Sequence, residues 1–196
     1  METLSDLSIK QYLRKLSEKT PAPGGGSAAA VVISSAVALY KMCFEYSRKN
    51  FAAAELESLT ADINSSLDSA VSFIQKDKDA YLNLSVILKD KNRYDERASA
   101  YKTAALVPLE MIKVCKKMLD IISNTISKIE PVFISDLNSS FKFLKAGFES
   151  AQCFADVNLK CLNAEDLRAF KNFEEEEIGN LKSKFERIEK EFKDAC

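Results

Sequence analysis

Histidine and tryptophan are both missing from the 196 residues of this chain. Without an imidazole the chain cannot form a Ser-His-Asp or Cys-His catalytic arrangement, and it cannot use histidine as a general base near pH 7. It is also without the side chain that most often binds transition metals. Any chemistry must therefore depend on carboxylates, hydroxyls, amides, lysines or backbone groups.

The net charge is close to zero, because 28 Lys and Arg residues face 29 Asp and Glu residues. A nucleic-acid or anionic-membrane partner is not expected, since such binders carry a basic excess that drives association through counterion release. The five cysteines form no Cys-x-x-Cys pair, so we expect free and mostly buried thiols, without a disulfide framework or a metal site. The first residues do not form a signal peptide, and a cytoplasmic location is expected.

Glycine and proline are scarce outside one segment. The chain has five glycines and four prolines, and five of these nine residues fall within residues 21–26. No Asn-Gly or Asp-Gly hairpin signal occurs, and apolar residues rarely alternate with period two. The sequence therefore predicts an all-α fold, a multi-helix bundle with long antiparallel helices, in a single domain of residues 1–196. The apolar run of residues 28–40 is too short to cross a bilayer.

Apolar spacings of three and four residues predict six helices. The first spans about residues 5–19, with Ser5 as N-cap and an aliphatic core face that includes Ile9 and Leu13. The second begins at Ser27 and is apolar on every side, as expected of a buried central helix. The others span about residues 52–88, 95–129, 135–162 and 163 onward, the last with Asn163 as N-cap and an amphipathic, covering or partner-facing character.

The third predicted helix carries one charged residue on its core-facing stripe. The stripe follows an alternating spacing of four and three residues from position 56 to position 88, and Asp77 is its only charge. A buried carboxylate is costly unless it is paired, and burial raises its pKa toward the range useful for proton transfer or nucleophilic attack. Asp77 is therefore a candidate catalytic residue. The alternative is a structural ion pair with a lysine on a facing helix.

The segment Pro-Ala-Pro-Gly-Gly-Gly-Ser, which contains Gly24, Gly25 and Gly26, opens the second helix. Its glycines could serve only a tight connection, since glycine allows any backbone turn. A plain connection rarely needs more than one residue with positive φ, however, so three glycines favour a loop whose N–H groups face a ligand. The segment does not match a P-loop or a dinucleotide fingerprint, which disfavours nucleotide binding.

Two polar features are expected in the fourth and fifth helices. Pro108 removes a backbone donor and clashes with the carbonyl four residues back, which predicts a kink and a free carbonyl at Ala104. Asn158 is the one amide on the apolar stripe of the fifth helix. It could simply set the register of helix packing, which is the best attested use of a buried amide.

Together these pieces resemble a known family. Residues 21–30 opening an apolar helix, Asp77 followed by Ala80-Tyr81, residues 95–97 with residues 108–110, and the pair Ser135-Asp136 occur in this order along nearly the whole chain. The same order is found in the C-terminal domain of formiminotransferase-cyclodeaminases and in stand-alone methenyltetrahydrofolate cyclohydrolases. The Pro-x-Pro-Gly-Gly-Gly-Ser segment is the most specific piece of the resemblance.

The resemblance implies an all-helical homodimer that binds a reduced folate carrying a one-carbon unit, with no metal or other cofactor. It implies formimidoyltetrahydrofolate cyclodeaminase activity, which closes the ring to methenyltetrahydrofolate and releases ammonia. One alternative is methenyltetrahydrofolate cyclohydrolase activity, in which water opens the methenyl bridge. Another is an inactive helical dimer that binds folate or a partner protein. A separate formiminotransferase could be a further partner.

By the same resemblance, the catalytic carboxylate falls on Asp77. The implied folate pocket is formed by Gly24, Gly25, Gly26, Ser27, Ser135, Asp136 and Asn158. The chain departs from the family pattern in two segments, in which Phe154 and Glu130 each stand in place of a usual asparagine. These exchanges bear on substrate affinity, because a phenyl ring in place of an amide removes hydrogen-bonding groups outright.

Overall fold

A computed structural model describes residues 3–172 and 177–195. Every regular element in this part of the chain is helical, which confirms the all-α prediction. The described residues form seven α-helices: α1 (Ile9–Leu16), α2 (Gly25–Tyr46), α3 (Ala53–Lys89), α4 (Arg97–Thr125), α5 (Ile134–Leu159), α6 (Ala164–Asn172) and α7 (Gly179–Ala195). Short 3-10 turns flank them at Leu4–Asp6, Arg48–Asn50, Lys91–Glu96, Ile126–Lys128 and Pro131–Phe133. The short connections make successive long helices antiparallel.

α2 is the central helix of the bundle and packs against α3, α4 and α5. Gly147 lets α5 approach it closely, because a methyl group at that position would overlap the Ile33 side chain. With 22 residues, α2 is long and apolar enough to span a bilayer, which the shorter apolar run in the sequence did not suggest. Half of its most apolar window is buried inside the bundle, and this packing accounts for its composition.

The N-terminal helix differs most from the prediction. Its N-cap is Ser8 rather than Ser5, because the Ser8 hydroxyl and the third helical residue form a reciprocal capping box. The predicted core residues Ile9 and Leu13 are 81% and 55% exposed, whereas Tyr12 is buried. Aliphatic spacing indicated the wrong face because Tyr12 joins an apolar ring to a hydroxyl that finds a buried partner.

The other boundaries lie within a few residues of the predictions at most helix ends. α2 begins two residues before the predicted start at Ser27, and α4 begins only after the 3-10 turn of Lys91–Glu96. The last predicted helix is described in two parts, α6 and α7, and residues 173–176 between them lie outside the described residues. α7 covers α5, because the Phe185 ring packs on Phe141 and Phe148 at centroid distances of 5.7 Å and 5.1 Å.

All four cysteines in the described part of the chain are free thiols. Cys43 and Cys115 are buried, whereas Cys153 and Cys161 are exposed, so the expectation of mostly buried thiols holds for only half of them. Cys196 lies outside the described residues. Burial raises the pKa of Cys43 to about 11, which keeps this thiol protonated near neutral pH.

Candidate functional site

Asp77 lies near the middle of α3, and its side chain faces the N-terminus of α2. It is half-buried, and it forms no ion pair with any residue that the structure describes. The structural ion pair considered as the alternative is therefore not formed with any of the described side chains. Burial raises the pKa of Asp77 above its ordinary value, and a hydrogen bond from the Ser27 backbone N–H opposes part of that rise. The raised pKa suits Asp77 to proton transfer.

Gly25 and Gly26, the first two residues of α2, are required by close packing and not by an unusual backbone conformation. No glycine among the described residues has a positive φ, so the turn argument made from the sequence is wrong here. A Cβ at Gly26 would overlap the Asp77 carboxylate and lie 2.6 Å from its Cγ. A Cβ at Gly25 would overlap the Phe154 ring, whereas at Gly24 it would meet nothing within 4 Å.

The start of α2 presents backbone N–H groups to the same space. The first bond within the helix is donated by the Ala28 N–H to the Gly24 carbonyl, at 3.0 Å. The N–H groups of residues 25–27 consequently have no acceptor within the helix, and that of Ser27 meets Asp77. The positive end of the helix dipole lies at this point and favours an anionic or electron-rich group.

The Ser27 hydroxyl is fully buried and connects three helices. It donates to the Ile74 carbonyl at 3.1 Å, so in its 3.1 Å contact with the Tyr12 hydroxyl the tyrosine is the donor. The pKa of Tyr12 is raised mainly by burial, and the nearby charge of Asp77 raises it further. Sequence reasoning missed Tyr12. The signal was one aromatic residue with a polar tip in an otherwise aliphatic and charged helix.

Asn158 satisfies the carbonyl that Pro108 leaves free. α4 continues through Pro108, and the Asn158 side-chain Nδ2 donates to the Ala104 carbonyl at 3.2 Å. The same nitrogen donates to the Phe154 carbonyl at 3.1 Å. Two carbonyl acceptors determine the orientation of the amide, and both of its protons are used inside the protein. Only Oδ1 is left to accept a hydrogen bond from a ligand.

These groups surround a cavity of about 330 Å³, near the lower end of the ~300–1,000 Å³ range of ligand pockets. Asp77, Asn158 and the backbone of the three glycines form its polar part, whereas Ser27 does not line it. Its other walls are apolar and consist of Pro21, Ala22, Ala80, Tyr81, Ala104, Pro108, Phe154 and Val157. A flat heterocycle suits this arrangement, since apolar walls can cover its faces while polar groups meet its edges.

Ser135 and Asp136 lie in the first turn of α5, whereas Asn158 lies near the end of the same helix. A rise of 1.5 Å per residue separates Ser135 from Asn158 by about 35 Å. The start of α5 is beside the C-terminal half of α2, where the charge of Asp136 contributes to the raised pKa of Cys43. A single chain therefore does not bring Ser135 and Asp136 to the cavity, and their role in substrate binding stays a prediction.

Comparisons with known proteins agree with this architecture. A family model described as formiminotransferase-cyclodeaminase matches residues 8–179. The chain is 29% identical over 189 residues to a methenyltetrahydrofolate cyclohydrolase of Methylorubrum extorquens, covering 89% of this chain and 88% of that protein. It is 25% identical over 171 residues to the formimidoyltransferase-cyclodeaminase of Rattus norvegicus, covering 81% of this chain and 32% of the rat protein. The crystal structure of formiminotetrahydrofolate cyclodeaminase from Thermotoga maritima matches with a TM-score of 0.84 and 25% identity, covering 96% and 95% of the two chains.

Proposed function

The chain belongs to the formiminotransferase-cyclodeaminase family, and from this premise we propose that it is a formimidoyltetrahydrofolate cyclodeaminase. The observation that carries the proposal is Asp77, a carboxylate that has no ion-pair partner among the described residues and faces a cavity beside a helix N-terminus. Unpaired carboxylates with a raised pKa favour a role in proton transfer. The apolar walls would hold the pterin ring, and the backbone N–H groups and the Asn158 oxygen would meet its polar edge.

In this reaction N10 of the folate adds to the amidine carbon carried on N5, and a tetrahedral carbon forms between the two nitrogens. The formimino group reacts as its protonated amidinium form. We assign Asp77 to accept the proton that N10 loses and to return it to the departing amine, which leaves as ammonia while the methenyl product keeps the positive charge. The bond between the carbon and N10 forms and the bond to the amine breaks. No atom changes oxidation state, so the step needs no redox cofactor. A separate formiminotransferase is the proposed source of the substrate.

Methenyltetrahydrofolate cyclohydrolase activity is the second candidate. The higher identity, 29%, to a protein with that name over 88% of its length favours it. In that reaction water adds to the same bridging carbon, and the carbon–nitrogen bond to N5 or N10 breaks. Asp77 would then accept a proton from the attacking water. Both reactions pass through a tetrahedral carbon in the same place, so one cavity serves either.

The experiment that tests the proposal follows methenyl absorbance with purified protein. Appearance of absorbance from formimidoyltetrahydrofolate with ammonia release supports the cyclodeaminase, and accelerated decay of supplied methenyltetrahydrofolate supports the cyclohydrolase. Asp77→Asn should abolish the observed activity, while Asp79→Asn, on an exposed part of the same helix, should retain it. Folate binding in calorimetry without either reaction would replace both proposals with a binding module.

We also propose that the protein is a homodimer that pairs through α2. One side of the outward face of α2, bordered by Lys41 and Glu45, carries no charge over about 27 Å of helix. This stripe consists of Ala28, Val31, Val32, Ser35, Ala38, Leu39, Met42 and Tyr46. All eight are half-buried or exposed in the single chain. Two copies related by a two-fold axis at the middle of this stripe would pack their stripes antiparallel. The small residues there would let the two helices approach closely.

An antiparallel pairing has a consequence for the site. It would set the Tyr46 end of one stripe against the Ala28 end of the other, close to the cavity. Tyr46 stacks at a centroid distance of 4.7 Å on Phe133, which lies two residues before Ser135 in the chain. The second copy would thus supply the two predicted substrate-binding residues that a single chain keeps away from Asp77.

The dimer proposal is tested by introducing a charge at the middle of the stripe. Ala38→Glu should give a monomer in sedimentation or light scattering, because a carboxylate buried between two helices is unpaired. Ala54→Glu, on an exposed part of α3, is the matched control and should stay dimeric. A monomeric unsubstituted protein at micromolar concentration would refute the proposal.

A further inference from the structure

Arg97, the first residue of α4, carries a charge that nothing in the described part of the chain neutralises. Its Nε is buried without a hydrogen-bond partner. The guanidinium donates only a long bond of 3.4 Å to the Leu88 carbonyl and lies over the Tyr94 ring at 5.1 Å. A guanidinium whose Nε is shielded from water and which has gained no anion is a candidate for binding one.

The neighbouring arginine, unlike Arg97, is paired with a carboxylate. Arg93, four residues earlier, donates two hydrogen bonds to Glu96, from Nε at 2.8 Å and from Nη2 at 2.5 Å. Both oxygens of that carboxylate are used in this fork. Glu96 directly precedes Arg97, yet its charge is committed to Arg93. The local sequence therefore supplies one arginine with a carboxylate and leaves the other without.

Arg97 lies on the same face of α4 as the wall of the Asp77 cavity. Arg97, Tyr101, Ala104 and Pro108 are separated by four, three and four residues, which aligns them along the helix. Ala104 and Pro108 line the cavity. Seven residues at 1.5 Å each set Arg97 about 10 Å beyond Ala104 along the helix axis.

Aromatic side chains lie between the cavity and Arg97 and beside the guanidinium. Tyr81, which lines the cavity, is 47% exposed, and Tyr94 beneath the guanidinium is 71% exposed. Tyr101 lies between Ala104 and Arg97 on the same helix face, and its pKa is raised mainly by burial while Arg97 lowers it. An elongated ligand with a ring in the cavity would therefore pass aromatic surface before it reached the guanidinium.

We propose that Arg97 binds a carboxylate at the far end of the ligand whose ring occupies the Asp77 cavity. This inference rests on the proposed function, under which the ligand is a tetrahydrofolate and the carboxylate belongs to the glutamate on its aminobenzoyl arm. The planar fork of arginine matches a carboxylate with two parallel hydrogen bonds. The aromatic side chains would cover the aminobenzoyl ring between the two ends.

Calorimetry with two ligands tests this assignment. The ligands are 5-formyltetrahydrofolate and the corresponding tetrahydropteroate, which has no glutamate. Arg97→Gln should weaken binding of the first by about 10- to 100-fold, the usual value of a charge-assisted pair. It should leave binding of the second nearly unchanged. Arg93→Gln is the matched control, because that arginine already has its carboxylate, and it should change neither dissociation constant.

The outcomes separate this inference from the function on which it rests. If the unsubstituted protein binds neither compound, the proposed function and the role of Arg97 both fall. If it binds both equally well, or if Arg97→Gln weakens both to the same extent, the Arg97 assignment is wrong while the proposed function stands. Arg97→Lys, which keeps the charge and loses the fork, should recover part of the lost affinity. Melting temperatures of all variants show whether each remains folded.

Discussion

A single methyl group at position 26 is expected to disable the candidate site. Gly26→Ala would add a Cβ 2.6 Å from Cγ and 2.9 Å from Oδ2 of Asp77, inside van der Waals contact. The carboxylate must then move away from the start of α2, where the Ser27 N–H meets it. A displacement of about 1 Å in a reacting group can cost about 100-fold in rate, and we expect a loss in kcat/KM of this size.

The expected effect on stability is smaller and has two opposing parts. Overpacking a well-packed site costs about 1–3 kcal/mol. Alanine in place of glycine within a helix returns about 0.5–1 kcal/mol, because the unfolded chain loses freedom. The net loss should lie between about 0 and 2.5 kcal/mol, or at most about 10 °C in melting temperature for a chain of this length.

Gly24→Ala is the control, because it adds the same methyl group two residues away in open space. Its φ of −131° and ψ of −162° are allowed for any residue. The loss of a glycine N-cap should cost less than about 1 kcal/mol, with activity near that of the unsubstituted protein. Steady-state kinetics and thermal melts of both variants make the comparison. Equal activity of the folded Gly26→Ala and Gly24→Ala proteins would refute the close-approach explanation.

Two further predictions concern the polar groups of the cavity. Because the folded protein holds the Asp77 proton more tightly than the unfolded chain does, stability falls as the pH rises from about 3.8 to the raised pKa. Asp77→Asn should therefore have a higher melting temperature than the unsubstituted protein at pH 7. The difference should vanish at a pH below the ordinary pKa of an aspartate. An equal difference in melting temperature at pH 7 and at that low pH would contradict this. Asn158→Leu should cost about 1–3 kcal/mol by leaving the Ala104 carbonyl without its donor. Pro108→Ala restores a backbone N–H to that carbonyl, so Asn158→Leu should cost less in the Pro108→Ala variant. Strictly additive changes in the free energy of unfolding, measured in denaturant, would exclude coupling between the two positions.

The parts of the site that depend on one helix could be predicted from the sequence. Asp77 stands out because helical spacing is a local property, and a charge on an apolar stripe is visible without any neighbour. Pro108 predicts a carbonyl without a donor at Ala104 for the same reason, and Asn158 stands out as an amide on a stripe. Their pairing could not be predicted, because it depends on how α4 and α5 align.

Features that depend on approach between helices were missed or misjudged. The sequence singled out the glycines as a loop whose N–H groups face a ligand, with a tight turn as the alternative, whereas the structure requires Gly26 because α3 comes too near for a Cβ. Tyr12 was missed, since its buried position depends on the Ser27 hydroxyl fifteen residues later. Ser135 and Asp136 came from a family pattern, which carries no distance information within one chain, and their role in substrate binding stays a prediction.

The carboxylate of Asp77 is stabilised by a backbone N–H and not by the side chain of Ser27. Nearly every amino acid at position 27 would supply the same N–H, and only proline would remove it. The hydrogen bond to the proposed catalytic carboxylate therefore depends on where the backbone runs and not on which side chain position 27 carries. A substitution such as Ser27→Ala would break the bonds to Tyr12 and Ile74 while leaving this donor in place. The backbone N–H of Ser27 thus serves the proposed catalytic group while its hydroxyl supports helix packing, and a substitution can change the second without the first.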